Sequence, residues 1–228
     1  MLETFLSVYI RGMTISILIA DDHPLFREAL GYIVRSVMPD SEVYEATNYQ
    51  ETKKRLEDDK FDFVFLDLNM PDSNGLTDLA LLKKTYPQIP IIVVSAHEES
   101  NIVRTCLEFN ASGYIVKSSD PVEMKLAINK ILSGETYRPD WIDLNNQEAE
   151  KENSIAAHQV ENLTPSQLKI LIEIGKGKLN KQIAYDLEIT EATVKAHITS
   201  VFKKLSINNR TQAVLFVKEH QLQNPSLN

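Results

Sequence analysis

From Ile15 onward, short apolar runs alternate five times with longer segments whose apolar residues recur at helical spacing. The runs over 15–20, 42–46, 61–66, 89–94 and 113–116 are rich in β-branched and aromatic residues, which predicts strands. The first intervening helix is expected to turn Leu25, Leu30, Ile33, Val34 and Val37 inward. The last is expected over 121–132, with Asp120 as its cap and Pro121 in its first turn. Alternation of this kind predicts a doubly wound α/β domain with a five-stranded parallel sheet and right-handed crossovers. Such sheets bind ligands at the carboxyl ends of their strands.

After this block the pattern changes. Between Asn145 and Ser154 the chain has too few apolar groups to offset the entropy of ordering, so a linker is expected there. From Thr164-Pro165 only helical periodicity remains, with turns at 175–177 and 188–189, and an all-α module follows. The boundaries read as 13–134 for the α/β domain, 135–161 for the linker and 162–222 for the helical module. Met13, directly before the first strand, is an expected start of the chain proper, and no function is attached to residues 1–12.

The chain has 228 residues, enough for two small domains. Its apolar runs are far shorter than the roughly 20 residues that cross a bilayer. With one cysteine, Cys106, no internal disulfide can form, so a cytoplasmic protein is expected. Residues 1–140 carry 22 acidic against 14 basic side chains (−8), residues 141–161 carry 5 against 1 (−4), and residues 162–228 carry 5 against 9 (+4). The helical module is therefore the part expected to meet a polyanion such as nucleic acid. The acidic half is also expected to dock on it and cover its polyanion-binding face.

Three carboxylates fall at strand ends: Asp21 and Asp22 after the first strand, Asp67 after the third. Crowded in one crevice they repel unless a cation neutralises them, and an all-oxygen set suits Mg²⁺. Ser95 and Lys117, at the next two strand ends, add a hydroxyl and an ammonium able to hold a phosphoryl group. Cys106 reads as a small buried hydrophobe, and His97 lacks the partner ligands of a metal site.

In the helical module Val194, Ile198, Val201 and Leu205 form one apolar stripe. Ala192, Ala196, Thr199 and Lys203, flanked by Lys195 and Ser200, then face outward, a set able to approach base edges and phosphates. Thr190 is the expected cap.

The runs Ile17-Leu18-Ile19-Ala20-Asp21-Asp22-His23-Pro24, Phe63-Val64-Phe65-Leu66-Asp67-Leu68-Asn69-Met70-Pro71, Val94-Ser95-Ala96-His97 and Gly113-Tyr114-Ile115-Val116-Lys117 resemble the flavodoxin-like receiver domain of two-component response regulators. That resemblance implies Asp67 as phosphoacceptor and Asp21, Asp22, Asp67 and the Asn69 carbonyl as Mg²⁺ ligands. It also implies Lys117 as phosphoryl partner, and Ser95 with Tyr114 as the switch pair. Ser118 stands where many receivers have proline.

The stretch from Leu163 through Ile207-Asn208-Asn209-Arg210-Thr211-Gln212-Ala213-Val214 is similar to LuxR-type helix-turn-helix domains, although Gln167 and Lys169 stand where that family often has glutamates. The implied DNA contacts are Asn180, Lys181, Thr193, Lys195, Ala196, Thr199 and Lys203, and the implied dimer interface is Ala213, Val214 and Val217. Those three could equally close the module's own core.

Together the halves resemble the NarL/FixJ class. This implies a regulator that takes a phosphoryl group from a histidine kinase and binds double-stranded promoter DNA as a homodimer, with RNA polymerase as a further partner, and that has no substrate turnover beyond its own phosphoryl transfer. Two alternatives stand beside this reading. One is a receiver controlled by a small ligand or partner protein instead of phosphorylation, with Arg138 and Trp141 as a stacking pair for the ligand. A Mg²⁺-dependent aspartyl-phosphate phosphatase needs an aspartate where Asn69 stands, and asparagine can neither give nor take the proton.

Overall fold

The computed structural model describes residues 14–142, 159–160 and 162–219. Residues 1–13, most of the expected linker and 220–222 lie outside this range.

Five strands, β1 (Ile15–Ala20), β2 (Ser41–Ala46), β3 (Phe63–Leu66), β4 (Ile91–Ser95) and β5 (Gly113–Val116), form one parallel sheet in the order β2-β1-β3-β4-β5. Ser95 closes β4 instead of following it, and β3 and β4 begin two residues later than the apolar runs suggest. The helices between them are α1 (Pro24–Val37), α2 (Tyr49–Asp58), α3 (Leu76–Thr85), α4 (Ser100–Glu108) and α5 (Pro121–Leu132). Side chains alternate across a strand. Ile17, Ile19, Phe65, Ile92, Val94 and Ile115 therefore share a core with α1 and α5. Leu18, Ala20, Val64, Leu66, Val93 and Tyr114 pack on the opposite side with α2, α3 and α4.

Leu25 does not turn inward and is 82% exposed. At 100° per residue Phe26, not Leu25, lies on the stripe of Leu30, Ile33 and Val34, and Phe26 is the residue packed there. Asp120 caps α5 as expected, its carboxylate accepting from the N–H groups of Val122 and Glu123.

The packed body extends past residue 134. Tyr137 is buried, its carbonyl accepting from Tyr114 N–H and its N–H donating to the Ser112 carbonyl, and Ile142 is also buried. Tyr137, expected in the linker, therefore packs with the α/β domain.

The helical module comprises α6 (Pro165–Gly175), α7 (Asn180–Asp186), α8 (Glu191–Leu205) and α9 (Arg210–Glu219). Thr164 and Gln167 form a capping box at the start of α6. Gln167 also donates to Ser200 Oγ at 2.9 Å and accepts from Lys204 Nζ at 2.8 Å. The amide thus ties α6 to α8 as donor to Ser200 and acceptor from Lys204.

Candidate functional site: an acidic crevice and an exposed recognition helix

Strand register assembles the crevice. Ala20 pairs with Leu66, so the next residues, Asp21 and Asp67, emerge side by side, with Asp67 N–H donating to the Ala20 carbonyl at 2.9 Å. Ser95 pairs with Val116, and Lys117 N–H donates to the Ser95 carbonyl at 2.8 Å. The crevice therefore lies at the carboxyl edge, around the point where the strand order reverses.

Lys117 Nζ lies 2.7 Å from Asp21 Oδ2 and 2.8 Å from Asp67 Oδ2. It also stands over the Phe26 ring at 4.9 Å. Burial pulls the ammonium toward its neutral form, but its two carboxylate partners outweigh this and hold its pKa above the ordinary value. Burial pushes the Asp67 carboxyl up, against the downward pull of Lys117 and of the Asn69 N–H. Asp67 is thus poorly solvated and paired with the Lys117 ammonium at 2.8 Å.

Asp21, Asp22, His23 and Asp67 offer ligand atoms that all lie within 4.8 Å of one another. Asp21 Oδ2 and Asp22 Oδ1 are buried without an aligned hydrogen bond, although Lys117 Nζ and His23 Nδ1 stand near them. Buried carboxylate oxygens left in this state suit a hard cation.

Tyr114 is fully buried and its hydroxyl donates to the His97 carbonyl at 2.8 Å, while burial drives its pKa far up. The His97 ring meets the Asn69 side chain at 3.0 Å and Glu99 at 3.1 Å. His97, unassigned from the sequence, thus links Asn69 at the lip of the crevice to Tyr114. Asn69 comes from the loop after β3 and Tyr114 from β5, so no local spacing could have revealed it. Cys106 is wholly buried, as expected, and burial raises its pKa.

In the helical module Thr190 caps α8 by accepting from Thr193 N–H. Val194, Val201 and Leu205 are buried and Ile198 is half-buried against the same core. Ala192, Thr193, Lys195, Ala196, Thr199 and Lys203 are exposed together, with Lys181 exposed and Asn180 half-buried on α7. Lys195 pairs with Glu191 at 3.1 Å along the helix.

Two expectations need correction. Ala213 and Val217 are 0% exposed and fill the module's core where α9 packs on α6, so neither offers surface to a partner as it stands. Half-buried Val214 and the exposed Leu215 are the apolar groups that α9 presents outward. The two domains do dock, but through α6 on α3. Leu76, Leu79, Ala80, Leu81 and Leu82 of α3 are all buried, and one apolar cluster runs from the sheet into the helical module. The exposed face of α8 is left uncovered.

Residues 17–129 match the response regulator receiver domain family, and residues 161–217 match the luxR family of bacterial regulatory proteins. Over 205 residues the chain is 40% identical to the glycerol metabolism activator of Pseudomonas putida, spanning 87% of this chain and 93% of that protein. Over 211 residues it is 34% identical to the nitrate/nitrite response regulator protein NarL of Escherichia coli K12, spanning 91% and 96%. The chain is a response regulator of the NarL/FixJ class. The fold also matches that of RcsB from Salmonella enterica serovar Typhimurium, solved bound to promoter rprA with the phosphomimetic BeF3⁻. That match has a TM-score of 0.52 at 20% identity, over 90% of this chain and 98% of the other. This response regulator carries its receiver first and its LuxR-type DNA-binding domain second, and none of its described helices is long and apolar enough to cross a membrane.

Proposed function

We propose that this response regulator is switched by phosphorylation of Asp67 and reads promoter DNA as a dimer through α8. The observation that carries the reading is Asp67 itself, buried at a strand end between Lys117 and the Asp21–Asp22 pair. In the transfer from a histidine kinase, an Asp67 carboxylate oxygen bonds to phosphorus. The phosphorus–nitrogen bond of the phosphohistidine breaks, and its electron pair stays on the imidazole. Lys117, already 2.8 Å from Asp67, holds the incoming phosphoryl oxygens. Asp21, Asp22, Asp67 and the Asn69 carbonyl would hold Mg²⁺, which when bound supplies neutralisation of the crowded negative charge. Ser95, Tyr114 and the His97 segment between them sense the phosphoryl group. Asn180, Lys181, Thr193, Lys195, Ala196, Thr199 and Lys203 form the DNA surface, and Val214 of α9 remains the candidate for contact between protomers.

Mass spectrometry after incubation with acetyl phosphate and Mg²⁺ tests the reading. One added phosphoryl group is expected, absent from Asp67→Asn and lost on chelation. Equal and stable labelling of Asp67→Asn would overturn it.

A further inference from the structure

Arg27, in the first turn of α1, is buried although it carries a full charge, and it is not among the crevice groups. Its Nη1 donates to the backbone carbonyl of Asp21 at 2.7 Å, and its Nε donates to Glu45 Oε2 at 2.9 Å. Glu45 belongs to β2, the edge strand beside β1. The guanidinium thus clamps the turn after β1 to the neighbouring strand.

The rest of Asp21 is held as firmly. Its N–H donates to the Ala46 carbonyl at 3.0 Å, and its Oδ1 accepts from His23 N–H at 2.8 Å. Arg27 supplies the restraint on the carbonyl. That leaves Oδ2, 2.7 Å from Lys117 Nζ, as the Asp21 oxygen that faces the crevice.

We propose that Arg27, braced by Glu45, is a positioning residue that orients the Asp21–Asp22 turn for Mg²⁺. This rests on the reading of the crevice as a Mg²⁺ site. Outer groups that orient metal-binding carboxylates affect affinity without touching the ion. Electrostatics alone argues the other way, because a buried cation so close to the site repels Mg²⁺, and its removal should tighten binding. The two accounts therefore predict opposite signs. A lysine separates them further, since it keeps the charge but not the planar fork that reaches two acceptors on different strands.

The test is calorimetric titration of Mg²⁺ into the metal-free full chain, with unfolding midpoints in chelator as a folding control. Arg27→Gln should weaken Mg²⁺ binding by about tenfold. Arg27→Lys should also weaken it, and Glu45→Gln should do so to a smaller degree with no further loss when combined with Arg27→Gln. Should Arg27→Gln fail to fold, the lysine and Glu45 variants decide. Wild-type affinity in both, or tighter binding in Arg27→Gln, overturns the role of Arg27 alone. No binding by the wild type overturns the Mg²⁺ reading and this proposal with it.

Discussion

Lys117 neutralises Asp67 from 2.8 Å while sharing its ammonium with Asp21 at 2.7 Å. One cation thus compensates two buried carboxylates, and the balance depends on it.

Lys117→Met keeps the length of the side chain and removes the charge. Breaking a buried ion pair from one side costs about 3 kcal/mol or more, because the remaining charge is left uncompensated. Thermal unfolding in chelator should show that loss. Mg²⁺ should then raise the melting temperature of the variant by more than it raises that of the wild type, since the metal replaces the missing cation. An equal rise in both proteins would count against a metal held by these carboxylates.

Asp78, buried in α3, accepts from Asn74 N–H at 2.5 Å. Burial raises its carboxyl above the ordinary 3.8, against the hydrogen bonds from Asn74 and Ser73. Between the unfolded value and this higher folded one, the unfolded chain has released the proton that the folded chain keeps. Stability from this group is therefore present below the unfolded value and falls as pH rises through the folded one. Urea unfolding from about pH 4 to about pH 7 should show Asp78→Asn gaining on the wild type as pH rises. Parallel curves would mean that Asp78 titrates alike in both states.

Gly113 opens β5, and a Cβ there would lie 2.6 Å from Ile131 Cδ1 and 3.2 Å from the Tyr137 carbonyl oxygen. Gly113→Ala should cost about 1–3 kcal/mol through overpacking. Chemical denaturation reads the loss, and a neutral result would show that Ile131 and residue 137 yield freely.

On α8, Lys203→Ala should weaken binding to every duplex and lower the salt slope by about one unit, the mark of a lost phosphate contact. Lys195→Ala should instead cost about 1–3 kcal/mol and relax preference at one base position. Titrations of operator and unrelated DNA at several salt concentrations separate the two. Unchanged affinity and slope in both variants would remove α8 from the DNA surface.

The parallel sheet was legible because the apolar runs of its strands exceed any helical alternative, and the crevice was legible because Asp21, Asp67 and Lys117 each follow such a run. What depended on distant partners was not legible. Arg27 reads as one more polar helix position until Glu45 arrives from another strand, and His97 until Asn69 and Tyr114 do. Leu25 lies off the α1 stripe because the helical angle places Phe26 there instead. Ala213 and Val217 show the limit of periodicity, which marks a face as apolar without saying whether it covers its own module or another chain.

Because α3 packs against the sheet on one side and α6 on the other, it serves one apolar cluster that spans both domains. Its outer residues pack on a partner encoded some ninety positions downstream. Chimeras joining this receiver to the effector of a relative should therefore assemble well only when the outer face of α3 travels with α6, so the junction that matters for recombination lies inside a helix of the first domain and not in the chain between them.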